Sequence, residues 1–162
     1  MSRGDINSLK KATPPPDYQS LAELRYQIRR FLHFSEQAAR QARIEPNQHQ
    51  FLLALKGLPE NMRPTIGILA GRLQIRPNSA VELVNRLSKA GFVKRRRDSD
   101  DGREVLLVLT AKGEAVLHEL SLHHRAELQT AGPALMAALQ AVLKQAKPKQ
   151  NSGKAKASLK EQ

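Results

Sequence analysis

Residues 76–103 carry closely spaced side chains that can hydrogen-bond to bases and phosphates. The first group is Arg76, Asn78, Ser79, Glu82 and Arg86, and the second is Arg95, Arg96, Arg97, Asp101 and Arg103. Asparagine can pair with adenine, glutamate can accept a hydrogen bond from the cytosine amino group, and arginine can form two parallel hydrogen bonds with a phosphate. These residue types predict an interface for double-stranded DNA if the fold places the two groups side by side.

Two short helices joined by a tight turn would position the first group. Apolar residues recur at helical spacing over 66–73 and again over 80–87. Pro77 fits the first turn of the second helix, where its missing N–H would have no partner anyway. Gly91 fits the end of that helix, where a positive φ is needed. The outward face of the second helix would then carry Asn78, Ser79, Glu82, Arg86 and Lys89. The pattern predicts a helix-turn-helix with this face in a major groove.

A basic β-hairpin would position the second group. Residues 92–93 and 105–109 favour strands, and the Asp101-Gly102 pair between them is a strong hairpin signal. Successive side chains of a strand alternate between its faces, so Arg95, Arg96 and Arg97 cannot all point the same way. A helix-turn-helix followed by such a hairpin is a winged helix, and its wing would bring Arg103 near a narrow minor groove.

The segment from Leu69 to Gly113 reads L-A-x-x-L-x-I, then S-A-V-x-L-V-x-R-L-x-x-A-G-F-V-x-R, then D-x-R-x-V-x-L-x-L-T-x-x-G. It resembles the MarR family of bacterial transcription regulators, over roughly residues 17–145. The resemblance implies a mainly α fold with a small β-hairpin wing: a winged helix-turn-helix DNA-binding lobe at 46–110, with dimerisation helices at 17–43 and 111–145.

The resemblance also implies a function and roles for site residues. It implies a homodimeric, sequence-specific regulator that acts as a repressor on a pseudo-palindromic operator. A small-molecule effector, unidentified here, would bind between the DNA-binding lobe and the dimerisation helices. Asn78, Ser79 and Glu82 would read bases, while Arg86 would contact the backbone. Asp101 would hold Arg103 or cap the wing turn.

Two positions depart from the family pattern, and one of them leaves two interpretations open. Arg76 stands where many relatives have a Ser or Thr cap, and Glu82 stands where Arg is common. Glu82 also precedes Arg86 by four residues, which is the spacing of an intrahelical ion pair. Glu82 therefore either pairs with Arg86 or faces DNA, where it would lower non-specific affinity.

Composition narrows the class of protein. The 162 residues have a formal net charge of +12, 40% hydrophobic residues and no cysteine. Without cysteine there is no disulfide, thiolate metal site or thiol redox sensor. Residues 61–103 contain 10 basic and 4 acidic residues, and residues 144–162 contain 6 and 1, so these two segments carry most of the net charge. A basic patch suits a polyanionic partner. No apolar run approaches a membrane span, so we expect a cytoplasmic, nucleoid-associated protein with no membrane partner and no cofactor.

Two polar tails and two helical segments flank the DNA-binding lobe. Residues 1–16 read as a flexible arm and 146–162 as a disordered basic tail. Asp17 or Ser20 would cap a long first helix, whose apolar stripe is hard to bury within so small a monomer. Thr110 would cap the helix after the wing. Gly132-Pro133 would break that helix, and the final helix would bury Leu135, Met136, Leu139, Val142 and Leu143.

Three alternative functions remain open. An architectural protein that binds any duplex would also use a basic wing and tail. A metal sensor would use His118, His123 and His124, but a five-residue step turns a helix by about 500°, so His118 and His123 diverge. An enzyme has the weakest support, because the chain lacks a Gly-rich phosphate loop and a G-x-S-x-G motif. We expect His33 and His49 to be core or edge residues with satisfied hydrogen bonds.

Overall fold

The computed structural model describes residues 15–97 and 104–145. The N-terminal arm except for its last two residues, the tip of the wing and the basic tail lie outside them. The elements are α1 (Tyr18–Gln41), α2 (Pro46–Lys56), α3 (Ile66–Leu73), α4 (Pro77–Lys89), β1 (Val93–Arg97), β2 (Val105–Leu109) and α5 (Ala111–Gln145). This order gives the predicted winged helix-turn-helix, with a long helix on either side of it.

The helices begin where the sequence carries capping residues. The Asp17 carboxylate accepts hydrogen bonds from the backbone N–H groups of Gln19 and Ser20, so Asp17 is the cap of α1. Thr65 accepts from Ile68 N at the start of α3. Pro77 occupies the first turn of α4, as predicted. Each cap satisfies N–H groups that have no partner within the helix.

Three helices end through a residue in the left-handed conformation. The residue is Arg43 (φ 58°) after α1, Gln74 (φ 54°) after α3 and Gly91 (φ 76°) after α4. After α4, the N–H groups of Gly91 and Phe92 donate to the carbonyls of Ser88 and Leu87, which gives the last turn hydrogen-bond partners. After α3, the N–H groups of Gln74 and Ile75 donate to the carbonyls of Gly71 and Ala70, so backbone bonds also fix the turn between α3 and α4, although its left-handed residue is a glutamine.

The described residues divide into two compact units, residues 29–97 with 104–133 and residues 15–28 with 134–145. The larger unit has a core built from α1, α2, α3, α4, the hairpin and α5. Its fully buried large side chains include Phe51, Leu52, Leu69, Leu87 and Leu107. Because α4 buries Ala80, Leu83, Val84 and Leu87 in this core, its polar residues are left on the opposite face.

The hairpin is a two-stranded antiparallel sheet with Val93 opposite Leu109, Arg95 opposite Leu107 and Arg97 opposite Val105. Successive side chains of a strand point to alternate faces, so Arg95 and Arg97 lie on the face of Val93, and Arg96 lies on the other face. The Leu107 N–H donates to the carbonyl of Pro64, which ties β2 to the loop before α3.

The junction between the wing and α5 explains why the sequence has L-T-x-x-G there. The Thr110 hydroxyl donates to the carbonyl of Gly91 (2.6 Å) and accepts from the N–H of Gly113 (3.1 Å). A Cβ at Gly113 would overlap the carbonyl oxygen of Phe92 and lie 3.1 Å from its carbonyl carbon. The Lys112 ammonium donates to the carbonyl of Ala90 and lies 4.6 Å from the Phe92 ring centre. Thr110 and Gly113 thus join the end of α4 to the start of α5.

The predicted break at Gly132-Pro133 is wrong, because α5 continues through Pro133 to Gln145. Inside a helix a proline ring crowds the carbonyl four residues earlier, and it also crowds the N–H and the Cβ of the residue before it. Gly132 has no Cβ, so that part of the crowding is absent here. The cost is then the missing N–H of Pro133 and crowding of the preceding turn. A helix of this length tolerates that local cost.

The smaller unit is described for residues 15–28 and 134–145. Gln27 is buried there and donates to Glu23, and Ala138 is buried as well. The final stretch of α5 does not bury the apolar face that the sequence predicts: Met136 is 61% exposed, Leu139 45% and Leu143 57%. On α1, Tyr18 and Leu21 are also exposed. Within this unit both helices therefore present apolar side chains to solvent.

Among the residues that the structure describes, no helix combines the length and apolar character needed to span a bilayer.

Candidate nucleic-acid interface

The outward face of α4 carries every recognition-helix residue predicted from the sequence. All five of these side chains are exposed: Arg76 at the N-cap, and Asn78, Ser79, Glu82 and Arg86 within the helix. Val81 is 41% exposed, so its methyl groups are free to contact a thymine methyl. The four-residue steps from Asn78 to Glu82 and from Glu82 to Arg86 keep these side chains close together. The face offers donors, acceptors and one apolar group.

Glu82 and Arg86 form no ion pair with each other in the described part of the chain. The ion pairs seen there are Arg40–Glu36, Lys56–Glu114 and Arg63–Glu104. The intrahelical pair that the spacing allows is therefore not observed. Both side chains are left exposed on the outward face, and the role of Glu82 in base readout stays a prediction.

Arg76 leaves the start of α4 without a side-chain cap, since it makes no capping hydrogen bond. We expect Arg76→Ser to raise the free energy of unfolding by about 1 kcal/mol, because serine accepts from an N–H of the first turn. Chemical denaturation followed by circular dichroism measures this gain. Arg76→Ala removes the same charge without adding a cap, and an equal gain with alanine would contradict the capping explanation.

The wing arginines fall into different environments. Arg95 Nη2 donates to Asn85 Oδ1 of α4 over 2.6 Å. Arg96 and Arg97 are exposed on opposite faces of the strand. Asp101 and Arg103 lie outside the described residues, so their predicted roles in the wing stay predictions. Asn85 was not singled out from the sequence, although it follows Glu82 by three residues on the same side of α4.

Some basic residues near this face are already neutralised by carboxylates. Arg63 Nη1 lies 2.8 Å from Glu104 Oε2, and Lys56 Nζ lies 2.6 Å from Glu114 Oε1. The first pair links the loop before α3 to the start of β2, and the second links α2 to α5. These contacts are structural, and they leave Arg86 and Lys89 of α4 and Lys94 and Arg96 of β1 exposed without a carboxylate partner among the described residues.

The histidines are held by the fold. His124 interacts with the Ser35 hydroxyl (2.7 Å) and the carbonyl of Leu120, and its ring centre lies 4.8 Å from that of His49. Burial, and secondarily the charge of His124, lower the pKa of His49 from 6.5 to about 4. The expectation of satisfied hydrogen bonds fails for His49 Nδ1, which is buried and has no hydrogen-bond partner among the described residues.

The described residues contain no group of three or more His, Cys, Asp or Glu side chains suited to a metal ion. Two of the side chains that a metal sensor could use have other partners, because Glu114 pairs with Lys56 and His124 interacts with Ser35.

A cleft of about 410 Å³ lies between α1 and α5 within the larger unit. Its lining consists of Phe34, Gln37, Ala38, Gln41, His123, Ala126, Glu127 and Thr130. One aromatic ring and two alanines give it an apolar wall, while amides, an imidazole and a carboxylate give it hydrogen-bonding groups. Such a mixture is typical of small-molecule sites.

The helix-turn-helix and its basic strand are the part of the chain that a family model recognises. Residues 44–104 match the model of the MarR family. The resemblance drawn from the sequence motifs is thereby confirmed, and MarR family proteins are DNA-binding transcription regulators. The matched range contains α2, α3, α4 and β1, and it holds every site residue predicted above.

Solved MarR-type structures share the fold, so the predicted fold class is confirmed. A MepR mutant from S. aureus bound to an oligodeoxyribonucleotide aligns with a TM-score of 0.58 at 20% identity, covering 74% of this chain and 92% of that chain. AbsC, a MarR family transcriptional regulator from Streptomyces coelicolor, aligns with a TM-score of 0.60 at 22% identity, covering 74% and 83%. A MarR family protein from Bacillus stearothermophilus gives 0.60 at 21% identity, covering 89% and 94%. No curated protein matches the chain.

Proposed function

We propose that this protein is a homodimeric, sequence-specific DNA-binding regulator that represses transcription from a pseudo-palindromic operator. The observation that carries the proposal is the exposed polar face of α4 beside a basic β-strand. Asn78, Ser79 and Glu82 would read base edges, and Arg86 and the wing arginines would contact phosphates. Such a protein acts in the cytoplasm, where bacterial DNA lies.

The homodimer is supported by the exposed apolar side chains of the long helices. Met136, Leu139 and Leu143 recur at three- and four-residue spacing and therefore share one face of α5. An apolar stripe of this kind is costly in water and is typical of a subunit interface. A two-fold axis would place two copies of α4 about one helical turn of DNA apart.

A dimer held by this stripe should dissociate when charges enter it. We expect Leu139→Glu with Leu143→Glu to weaken self-association by at least about 100-fold, because two buried leucines each contribute about 1.5 kcal/mol or more. Sedimentation velocity over a concentration series measures the change. Gln140→Glu adds a charge on the same turn without removing an apolar side chain and should leave the dimer intact. Unchanged association of the double variant would contradict this interface.

The cleft between α1 and α5 supports an effector site. A ligand with an aromatic or apolar body and polar groups would pack against Phe34 and hydrogen-bond to Gln37, Gln41 or Glu127. By binding one arrangement of the helices more tightly than another, it would shift the population away from the arrangement that fits the operator. Release of the repressor by a small molecule follows from such a shift.

An architectural protein that binds any duplex is the alternative, and the net charge of +12 favours it. The exposed Glu82 opposes it, since a carboxylate on the DNA-facing side repels phosphates and lowers non-specific affinity. The two functions differ in specificity over random DNA rather than in affinity.

Selection from a random duplex pool at near-physiological salt tests the proposal. Recovery of a pseudo-palindrome, with half-sites about one helical turn apart, is the expected result. Recovery of no motif, together with binding that fades steeply as salt increases, would contradict the regulator and favour the architectural protein.

A further inference from the structure

The hydrogen bond between Asn85 and Arg95 connects the two halves of the DNA-facing surface. Asn85 lies on the exposed side of α4, three residues after Glu82, and Arg95 lies on β1. The Nη2–Oδ1 distance of 2.6 Å is short for a hydrogen bond of this kind. Both side chains are exposed, so the bond does not serve the core. It fixes the position of a guanidinium between the recognition helix and the wing.

The chemistry of the acceptor preserves the charge of Arg95. A guanidinium has five N–H donors and no acceptor, so Asn85 Oδ1 must be the accepting atom and most donors stay available. An amide is neutral, so Arg95 keeps its full positive charge. Arg63, by contrast, is paired with the Glu104 carboxylate. Glu82, one turn away, forms no ion pair with Arg95 among the described residues.

The surroundings of this bond suit a phosphodiester group. Arg86 and Lys89 of α4 are exposed, and so is Arg97, which shares the face of Arg95 on β1; these charges raise the positive potential there. A phosphate between α4 and β1 could therefore accept two parallel hydrogen bonds from the guanidinium, a geometry that arginine favours.

We infer that Asn85 and Arg95 form a phosphate-binding pair at the junction of the recognition helix and the wing, with Arg95 contacting the DNA backbone and Asn85 as its positioning residue. The inference rests on the proposed function and adds a residue to it. Asn85 acts by holding the guanidinium in place before DNA arrives, which reduces the side-chain entropy lost on binding.

The test measures affinity in a salt series for two duplexes, one carrying the selected operator and one of random sequence. Arg95→Ala should lower affinity about 10-fold on both duplexes and reduce the slope of log K against log[salt] by about 1. Asn85→Ala should lower affinity by about 3- to 5-fold with the slope unchanged, because the charge remains. In the Arg95→Ala background, Asn85→Ala should have almost no further effect.

Two matched variants separate positioning from charge. Asn85→Asp keeps an acceptor for Arg95 but neutralises it, so its slope should fall by about 1, as in Arg95→Ala. Arg96→Ala removes an arginine from the other face of the same strand, and its effect should add to that of Asn85→Ala. The three changed residues, Asn85, Arg95 and Arg96, are all exposed, and circular dichroism verifies the fold of each variant.

The outcomes distinguish this inference from the proposed function. Additive effects of Asn85→Ala and Arg95→Ala, or no effect of Asn85→Ala, would overturn the pairing while operator preference remains. A change of selected base in Asn85→Ala would also overturn it, since Asn85 would then read sequence. Loss of operator preference in the parent protein would instead overturn the proposed function.

Discussion

Gly113→Ala should destabilise the protein by roughly 3 kcal/mol, at the upper end of the cost of overpacking a site that cannot relax. The added methyl group would overlap the carbonyl oxygen of Phe92 and lie 3.4 Å from its Cα. Both are backbone atoms of the link between α4 and β1, so no side chain can move aside. Phe92 N and O are also committed to hydrogen bonds with Leu87 and Thr110.

Chemical denaturation measures this loss of stability. The protein concentration is kept fixed, because dimerisation would make the apparent stability depend on it. Gly71→Ala is the matched control: Gly71 is within α3, and a Cβ there would meet nothing within 4 Å. That change should stabilise the protein by about 0.5–1 kcal/mol through helix propensity. A Gly113→Ala variant as stable as the parent would show that the junction can separate.

The stability of the protein should depend steeply on pH below neutrality because of His49. This residue is 1% exposed, and burial with the nearby His124 lowers its pKa from 6.5 to about 4. Between these values the unfolded chain binds a proton that the folded chain does not, so stability falls as the pH falls. The stability that comes from keeping His49 neutral is fully present above about pH 6.5. Between about pH 7 and pH 4 the free energy of unfolding falls by about 3 kcal/mol.

His49→Phe keeps an aromatic ring at this position and removes the titrating group. Chemical denaturation across the same pH range gives the free energy of unfolding. Between pH 7 and pH 4 it should fall by about 3 kcal/mol less in His49→Phe than in the parent. His33→Gln changes an exposed histidine of α1 and should leave the pH dependence close to that of the parent. Parallel pH profiles of the parent and His49→Phe would contradict a buried, neutral His49.

The elements of the fold were predictable because their signals are local. Asp17, Pro77 and Gly91 act within one turn of their helix, and apolar spacing alone identified the buried face of α4. Pro133 is the exception: proline is a strong local break signal, yet α5 continues through it, and Gly132 before it lacks the Cβ that would add to the crowding.

The contacts that the sequence could not predict join residues of different elements, and the periodicity within one element carries no information about them. Arg95 and Asn85 meet because Gly91 reverses the chain between α4 and β1. His49 and His124 belong to helices that only the assembled core brings together. The sequence identified Arg95 as a basic residue, but its neutral partner became visible only in the folded chain.

The central claim is that the exposed face of α4 reads DNA sequence. The most direct test is a pair of selections from one random duplex pool, one with the parent protein and one with Asn78→Ala. The parent should recover a pseudo-palindrome, and Asn78→Ala should recover the same motif with relaxed base preference at one symmetry-related pair of positions. Asn78 is exposed, so the variant should fold like the parent. Identical motifs from both proteins would contradict base readout by Asn78, and no motif from either would contradict the central claim.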